Sequence, residues 1–111
     1  MLPQGELAQF HDDEDGMRYI ASVELKPGTI RGNHYHEKKR EWFYLISGEL
    51  LLVVKELEST LREEIHLRPG DLVYISPRVA HAFQVQAPGY AVEFSPVAFD
   101  AADTYRTQLI T

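Results

Sequence analysis

The sequence predicts an all-β domain, a sandwich or barrel of eight or so short antiparallel strands. Three observations carry that expectation. Apolar and polar residues alternate with a period of two in several stretches, as half-buried strands require. Turn signals built from Gly, Pro, Asp and Ser recur roughly every 8–12 residues. No segment carries the apolar period of a long helix. The 111 residues read as one domain, with an acidic lead over 1–16, a barrel over 17–95 and a tail over 96–111.

The lead holds Asp12-Asp13-Glu14-Asp15 and reads as a solvated loop; nothing around His11 suggests a built site. From Met17 to Lys26 the chain alternates, with Met17, Tyr19, Ala21, Val23 and Leu25 opposed to Arg18, Ser22 and Glu24. Pro27-Gly28 ends that strand. Leu50 to Val54 is a continuous apolar run between Gly48 and charged residues, consistent with a strand buried on both faces. Leu61, Ile65 and Leu67 alternate with Arg62, Glu64 and His66, which places His66 on a solvent-facing side. Arg68-Pro69-Gly70-Asp71 is a tight turn before the brief strand Leu72 to Ile75. His81 to Gln86 and Tyr90 to Phe94 form a last pair around Ala87-Pro88-Gly89. The stretch from Asp100 to Arg106 offers the one credible helical turn.

The chemistry concentrates between Gly28 and Gly48. His34 and His36 lie two residues apart, so a strand points them to the same side, with Tyr35 on the other. The charged tetrapeptide Glu37 to Arg40 reads as a turn, and Glu41 then opens an aromatic strand. Such a hairpin aims two imidazoles and one carboxylate at one point. That donor set suits a divalent transition metal (Zn, Mn, Fe or Ni) better than Ca or Mg. The chain has no cysteine, which excludes disulfides and thiolate ligands. Phe43 and Leu45 share the inner side with Glu41. Tyr35, Trp42 and Tyr44 point outward and would form a large apolar surface, the mark of a homodimer interface unless the N-terminal strand or the tail covers them. Lys38-Lys39-Arg40 reads as a solvated turn, or else as a cluster that steers a phosphorylated substrate to the site.

The bulk numbers bound the partners. A net charge of −6 lacks the basic footprint of nucleic-acid binding. No apolar stretch approaches the ~20 residues needed to span a bilayer, and no segment has the pattern of a secretion signal. A cytoplasmic protein without membrane association is the expectation.

The run Gly28, five residues, His34-Tyr35-His36, four residues, Glu41, six residues, Gly48 resembles the first motif of the cupin superfamily. Gly70 to His81 resembles its second, with Ser76, Arg78 and Val85 in place of the usual proline, glycine and asparagine. The resemblance implies a cupin jelly-roll antiparallel β barrel, with His34, His36, Glu41 and His81 as metal ligands in its mouth. Arg31 to His36, Glu41-Trp42-Phe43 and the terminal Phe99-Asp100 and Asp103 to Arg106 are similar to cupin domains of polysaccharide biosynthesis. That likeness implies epimerisation or isomerisation of a keto sugar nucleotide, with a tyrosine, Glu93 or a hydroxide on the metal as base. Metal-dependent dioxygenation and sugar binding without turnover are the other activities open to such a fold.

Overall fold

The computed structural model describes residues 16–110; the acidic run and His11 lie outside the described residues. Nine strands carry the regular structure: β1 (Tyr19–Leu25), β2 (Ile30–Tyr35), β3 (Glu41–Leu45), β4 (Glu49–Glu56), β5 (Glu63–Leu67), β6 (Leu72–Ile75), β7 (Val79–Ala87), β8 (Gly89–Ser95) and β9 (Tyr105–Arg106). They form two sheets, one of four strands in the order β1-β8-β3-β6 and one of five in the order β5-β4-β7-β2-β9. The pairings are antiparallel. This is the expected all-β jelly roll, with one difference. The two sheets are not joined by hydrogen bonds into a closed barrel. Among the described residues there is no helix long and apolar enough to cross a membrane.

Alternation decides what each sheet turns inward. Val23, Leu25, Phe43, Leu45, Ile75 and Ala91 come from the four-stranded sheet, and Leu50, Leu52, Leu67, Phe83 and Val85 from the other. They meet in one core, with the Phe43 and Phe83 rings stacked at 4.4 Å between centroids. A smaller apolar cluster covers the outer face of the five-stranded sheet. There Val53, Ala80 and Ala82 lie under Leu109, with Tyr35, Leu51 and Ile110 packed around them.

Three sequence expectations change. Asp100 to Arg106 is not a helical turn: Asp103 N–H closes a turn on the Asp100 carbonyl, and Tyr105–Arg106 then pair with β2. The stacking of Tyr105 on Tyr35 (5.1 Å) favours that extended ending. Tyr35 also does not share a surface with Trp42 and Tyr44, because β2 and β3 belong to different sheets. Leu61 lies before β5 and is 77% exposed, so its place in the alternation brings it no apolar partner face.

Of the described glycines, Gly89 at the start of β8 makes the closest approach to other backbone. A Cβ added at Gly89 would lie 2.0 Å from the Ser47 carbonyl oxygen, with backbone on both sides of the contact. Only glycine fits there. Gly89→Ala should therefore destabilise the fold by about 1–3 kcal/mol, the usual range for overpacking a filled site. Chemical denaturation of that variant checks this, and a midpoint equal to that of the wild type would contradict the packing described.

Candidate metal centre

A bulge builds the site. In β2 the register with β7 shifts between Gly32, which faces Ala82, and His34, which faces His81. Gly32 (φ 90°) and Asn33 (φ 57°) both adopt left-handed backbone, the conformation expected of a bulge residue. A Cβ at Gly32 would meet the His81 carbonyl oxygen at 2.8 Å. The extra residue resets the alternation. Arg31 and His34, three apart, thus line the same pocket as His36, Glu41 and His81.

The structure brings three of the four sequence-predicted ligands together. The candidate ligand atoms of His34, His36 and His81 lie within 4.8 Å of one another. Two nitrogens bound to one ion at about 2.1 Å sit at most about 4.2 Å apart. Holding an ion would thus draw the rings together by only a fraction of an ångström each. Glu41 is buried in the same pocket, but its Oε1 is 3.1 Å from Lys39 Nζ and it is not part of the cluster. His66 stands apart, exposed and 3.6 Å from Glu49.

The hydrogen bonds of the rings test whether the site fits a metal. His36 Nδ1 donates to the Asp103 carbonyl at 2.5 Å, and His81 Nδ1 donates to the Val79 carbonyl at 3.1 Å. A carbonyl only accepts, so each Nδ1 carries a hydrogen, and each neutral ring keeps its lone pair on Nε2. His36 Nε2 is buried and has no hydrogen-bond partner. An orphaned imidazole nitrogen beside two other imidazoles fits a cation better than it fits protein alone. Burial, then the neighbouring His81 and His36, push the His34 imidazole down to about 3; burial also lowers His81. Both rings are therefore in the neutral, ligating form at physiological pH.

Next to the histidines lies a charge cluster that sequence reasoning missed. Lys39 belongs to a run read as a solvated turn, yet its side chain is only 16% exposed. Its Nζ reaches Glu41 at 3.1 Å and Glu93 at 3.8 Å and stands 4.9 Å above the Tyr19 ring. Tyr19 Oη donates to Glu93 at 3.0 Å. Burial and then the Glu41 charge raise the Glu93 carboxyl above its ordinary range. Burial alone would lower the Lys39 ammonium, but the Glu41 and Glu93 carboxylates raise it, so it stays charged. The turn carrying Lys39 is held from far along the chain. The Asp103 carboxylate accepts the N–H groups of Glu37, Lys38 and Lys39 at 2.8, 3.1 and 3.0 Å. Burial would raise that carboxyl, but the three N–H groups hold it below its usual value. Arg78 braces the other side, donating to both oxygens of Glu37 at 3.0 Å from left-handed backbone (φ 65°) where the second motif has glycine.

Comparison with known proteins places this arrangement. The capsular polysaccharide assembling protein CapF from Staphylococcus aureus superposes with a TM-score of 0.75 at 22% identity, over 81% of this chain and 26% of that one. The WlaRB TDP-quinovose 3,4-ketoisomerase from Campylobacter jejuni gives 0.72 at 18% identity, over 81% of this chain and 70% of that one. At such identities the likeness shows a shared fold. A curated relative, quercetin 2,3-dioxygenase of Bacillus subtilis, is 29% identical over 73 residues, which are 66% of this chain and 20% of that protein. The chain thus spans about a fifth of that relative and about a quarter of the capsular protein. Residues 21–95, two-thirds of the sequence and all of the pocket's strands but the two ends, match the family described as the cupin domain, and the chain is a member of that family.

Proposed function

We propose that this protein is a metal-binding cupin that acts on a keto sugar nucleotide as an epimerase or isomerase in polysaccharide biosynthesis. The observation that carries the reading is the unpartnered Nε2 of His36, buried beside His34 and His81 and opening on a pocket that also holds Glu93, Tyr19 and Lys39. His34, His36 and His81 would hold the ion, with Glu41 as a fourth ligand once it leaves Lys39. A divalent ion there supplies a Lewis acid for the ketone oxygen. The chain's own groups do the rest. Glu93 is the proton acceptor: its carboxylate takes the hydrogen from the carbon next to the ketone, and the C–H electron pair moves into the enolate. A proton delivered from solvent to the opposite face gives the epimer, with Glu93 passing its own to solvent. Glu93 handing its proton to the former carbonyl carbon, while the adjacent hydroxyl proton passes to the former ketone oxygen, gives the isomer. Tyr19 orients Glu93, and Lys39 balances the two buried carboxylates. The capsular protein and the TDP-quinovose ketoisomerase of the same fold support this substrate class.

A second reading follows from the sequence relative of known activity. A metal-dependent dioxygenase would use the same histidines, and turnover would consume oxygen. Sugar binding without chemical change is the non-catalytic form of the proposal.

The deciding experiment is elemental analysis of protein purified without added metal, followed by assays on keto sugar nucleotides. We expect one transition-metal ion (Zn, Mn, Fe or Ni) per chain and exchange of the substrate's α-hydrogen with solvent. His34→Ala and His81→Ala should lose the metal and the stability it adds, while His66→Ala keeps both. Oxygen uptake with bound iron would replace the isomerase reading, and full metal content in the two site variants would refute the ligand set.

The depressed imidazoles give a pH dependence for metal-free protein. His34 titrates near 6.5 in the unfolded chain and near 3 in the fold, so the unfolded state binds more protons between those values. Stability is full above about pH 6.5 and falls as the solution is acidified towards about pH 3. Urea denaturation of metal-free protein at about pH 7.5 and about pH 5 should show a lower midpoint at the acid value. His34→Gln should reduce that difference. Equal midpoints for the wild type would remove the argument.

We also propose a homodimer through Trp42 and Tyr44, both half-buried on the four-stranded sheet. Size-exclusion elution should fall at twice the chain mass, and Trp42→Asp should weaken the association. Monomeric elution of both proteins would sink the idea.

A further inference from the structure

We propose that Asp103 is a positioning residue of the histidine site, and that the C-terminal tail is a strap which sets His36 and Lys39 together. The inference rests on the metal-centre reading above, and it concerns a residue beyond the 21–95 segment shared with the family.

Asp103 uses both its side chain and its backbone on the same connection, the segment between β2 and β3. The carboxylate gathers three consecutive N–H groups, from Glu37 to Lys39, and so fixes the turn that sends Lys39 into the pocket. The carbonyl accepts His36 Nδ1–H, and that contact decides which ring nitrogen remains free. A partner on one ring nitrogen orients the ring and selects the tautomer that ligates through the other. Asp103 is only 7% exposed, so little water competes for these bonds.

The tail is anchored on both sides of Asp103. Before it, the Asp103 N–H bonds to the Asp100 carbonyl at 3.1 Å, and Phe99 stacks on Tyr19 at 5.7 Å. After it, Tyr105–Arg106 pair with Tyr35 and His34, and Thr107 N–H bonds to the Asn33 carbonyl at 3.0 Å. The Asn33 side chain then accepts the N–H groups of Leu109 and Ile110 at 2.9 and 3.0 Å and donates to the Ile110 carbonyl at 3.0 Å. Asn33 is the bulge residue that turns His34 inward. The strap thus grips the bulge at one end and the Glu37–Lys39 turn at the other, with His34 and His36 between them.

The test compares wild type, Asp103→Ala, Asp103→Asn and the tail control Gln108→Ala, each verified as folded by near-ultraviolet circular dichroism. Two quantities are read. The first is the ring tautomer of His36 in metal-free protein, from nitrogen–proton correlation spectra. The second is the affinity for Zn2+ alone. Wild type and Gln108→Ala should show His36 in the Nδ1–H form. Asp103→Ala keeps the backbone carbonyl but loses the three carboxylate bonds that hold it against His36. The ring should therefore shift towards a mixture, and Zn2+ should bind about 10-fold more weakly, the usual scale for disturbing a group that orients a ligand. Asp103→Asn retains an acceptor oxygen and should fall between; it carries the comparison if the alanine variant does not fold. An unchanged tautomer and unchanged Zn2+ affinity in the folded variants would overturn the proposal. If wild type binds no Zn2+, the metal reading fails, and the tautomer comparison still decides on the strap.

Discussion

The arrangement depends on the irregular pairing of β2 with β7. Were β2 a regular strand, alternation would put Arg31, Asn33 and Tyr35 on one face and turn His34 and His36 to the other, with no common lining. The bulge at Gly32–Asn33 inserts one residue and lets Arg31, His34 and His36 all line one pocket, with His34 directly across from His81. It requires left-handed backbone at two successive positions and close passage over the His81 carbonyl. Glycine supplies the first without a Cβ penalty, and asparagine tolerates the second while its side chain secures the tail.

Burying this much polarity costs stability unless each group is answered. Two carboxylates, Glu41 and Glu93, face the same cavity, and one ammonium serves both. Removing Lys39 would leave like charges buried together, a far larger penalty than the loss of an exposed ion pair. Two of the three rings are answered at Nδ1 by backbone carbonyls. What stays unanswered is His36 Nε2. Among the described residues it is the one buried side-chain polar atom left without a partner, and it lies beside two other imidazoles.

Much of this was legible in the sequence, and the residues that were not share a cause. β6 was expected from Leu72 to Ile75 and spans those residues, because alternation and flanking turns are local properties. His34, His36, Glu41 and His81 were expected in one place and do line one pocket, although Lys39 rather than the histidines engages Glu41. Lys39 itself is one of three adjacent cations, and no local rule says which turns inward. Its direction is set by Asp103, more than sixty residues away. The Tyr19–Glu93 pair joins strands adjacent in the sheet but 74 residues apart. The tail was misread for the same reason. Asp100 to Arg106 has acceptable helix chemistry, and only the ladder offered by β2 and the ring of Tyr35 make an extended ending better.

The central claim is that three imidazoles, two of them oriented by backbone carbonyls, converge on one transition-metal ion. X-ray absorption at the metal edge of the purified protein tests it most directly, because multiple scattering from imidazole rings counts histidine ligands. The account predicts three imidazoles at about 2.0–2.1 Å, with any further ligand an oxygen. A first shell of oxygen alone, or a single imidazole, would contradict it.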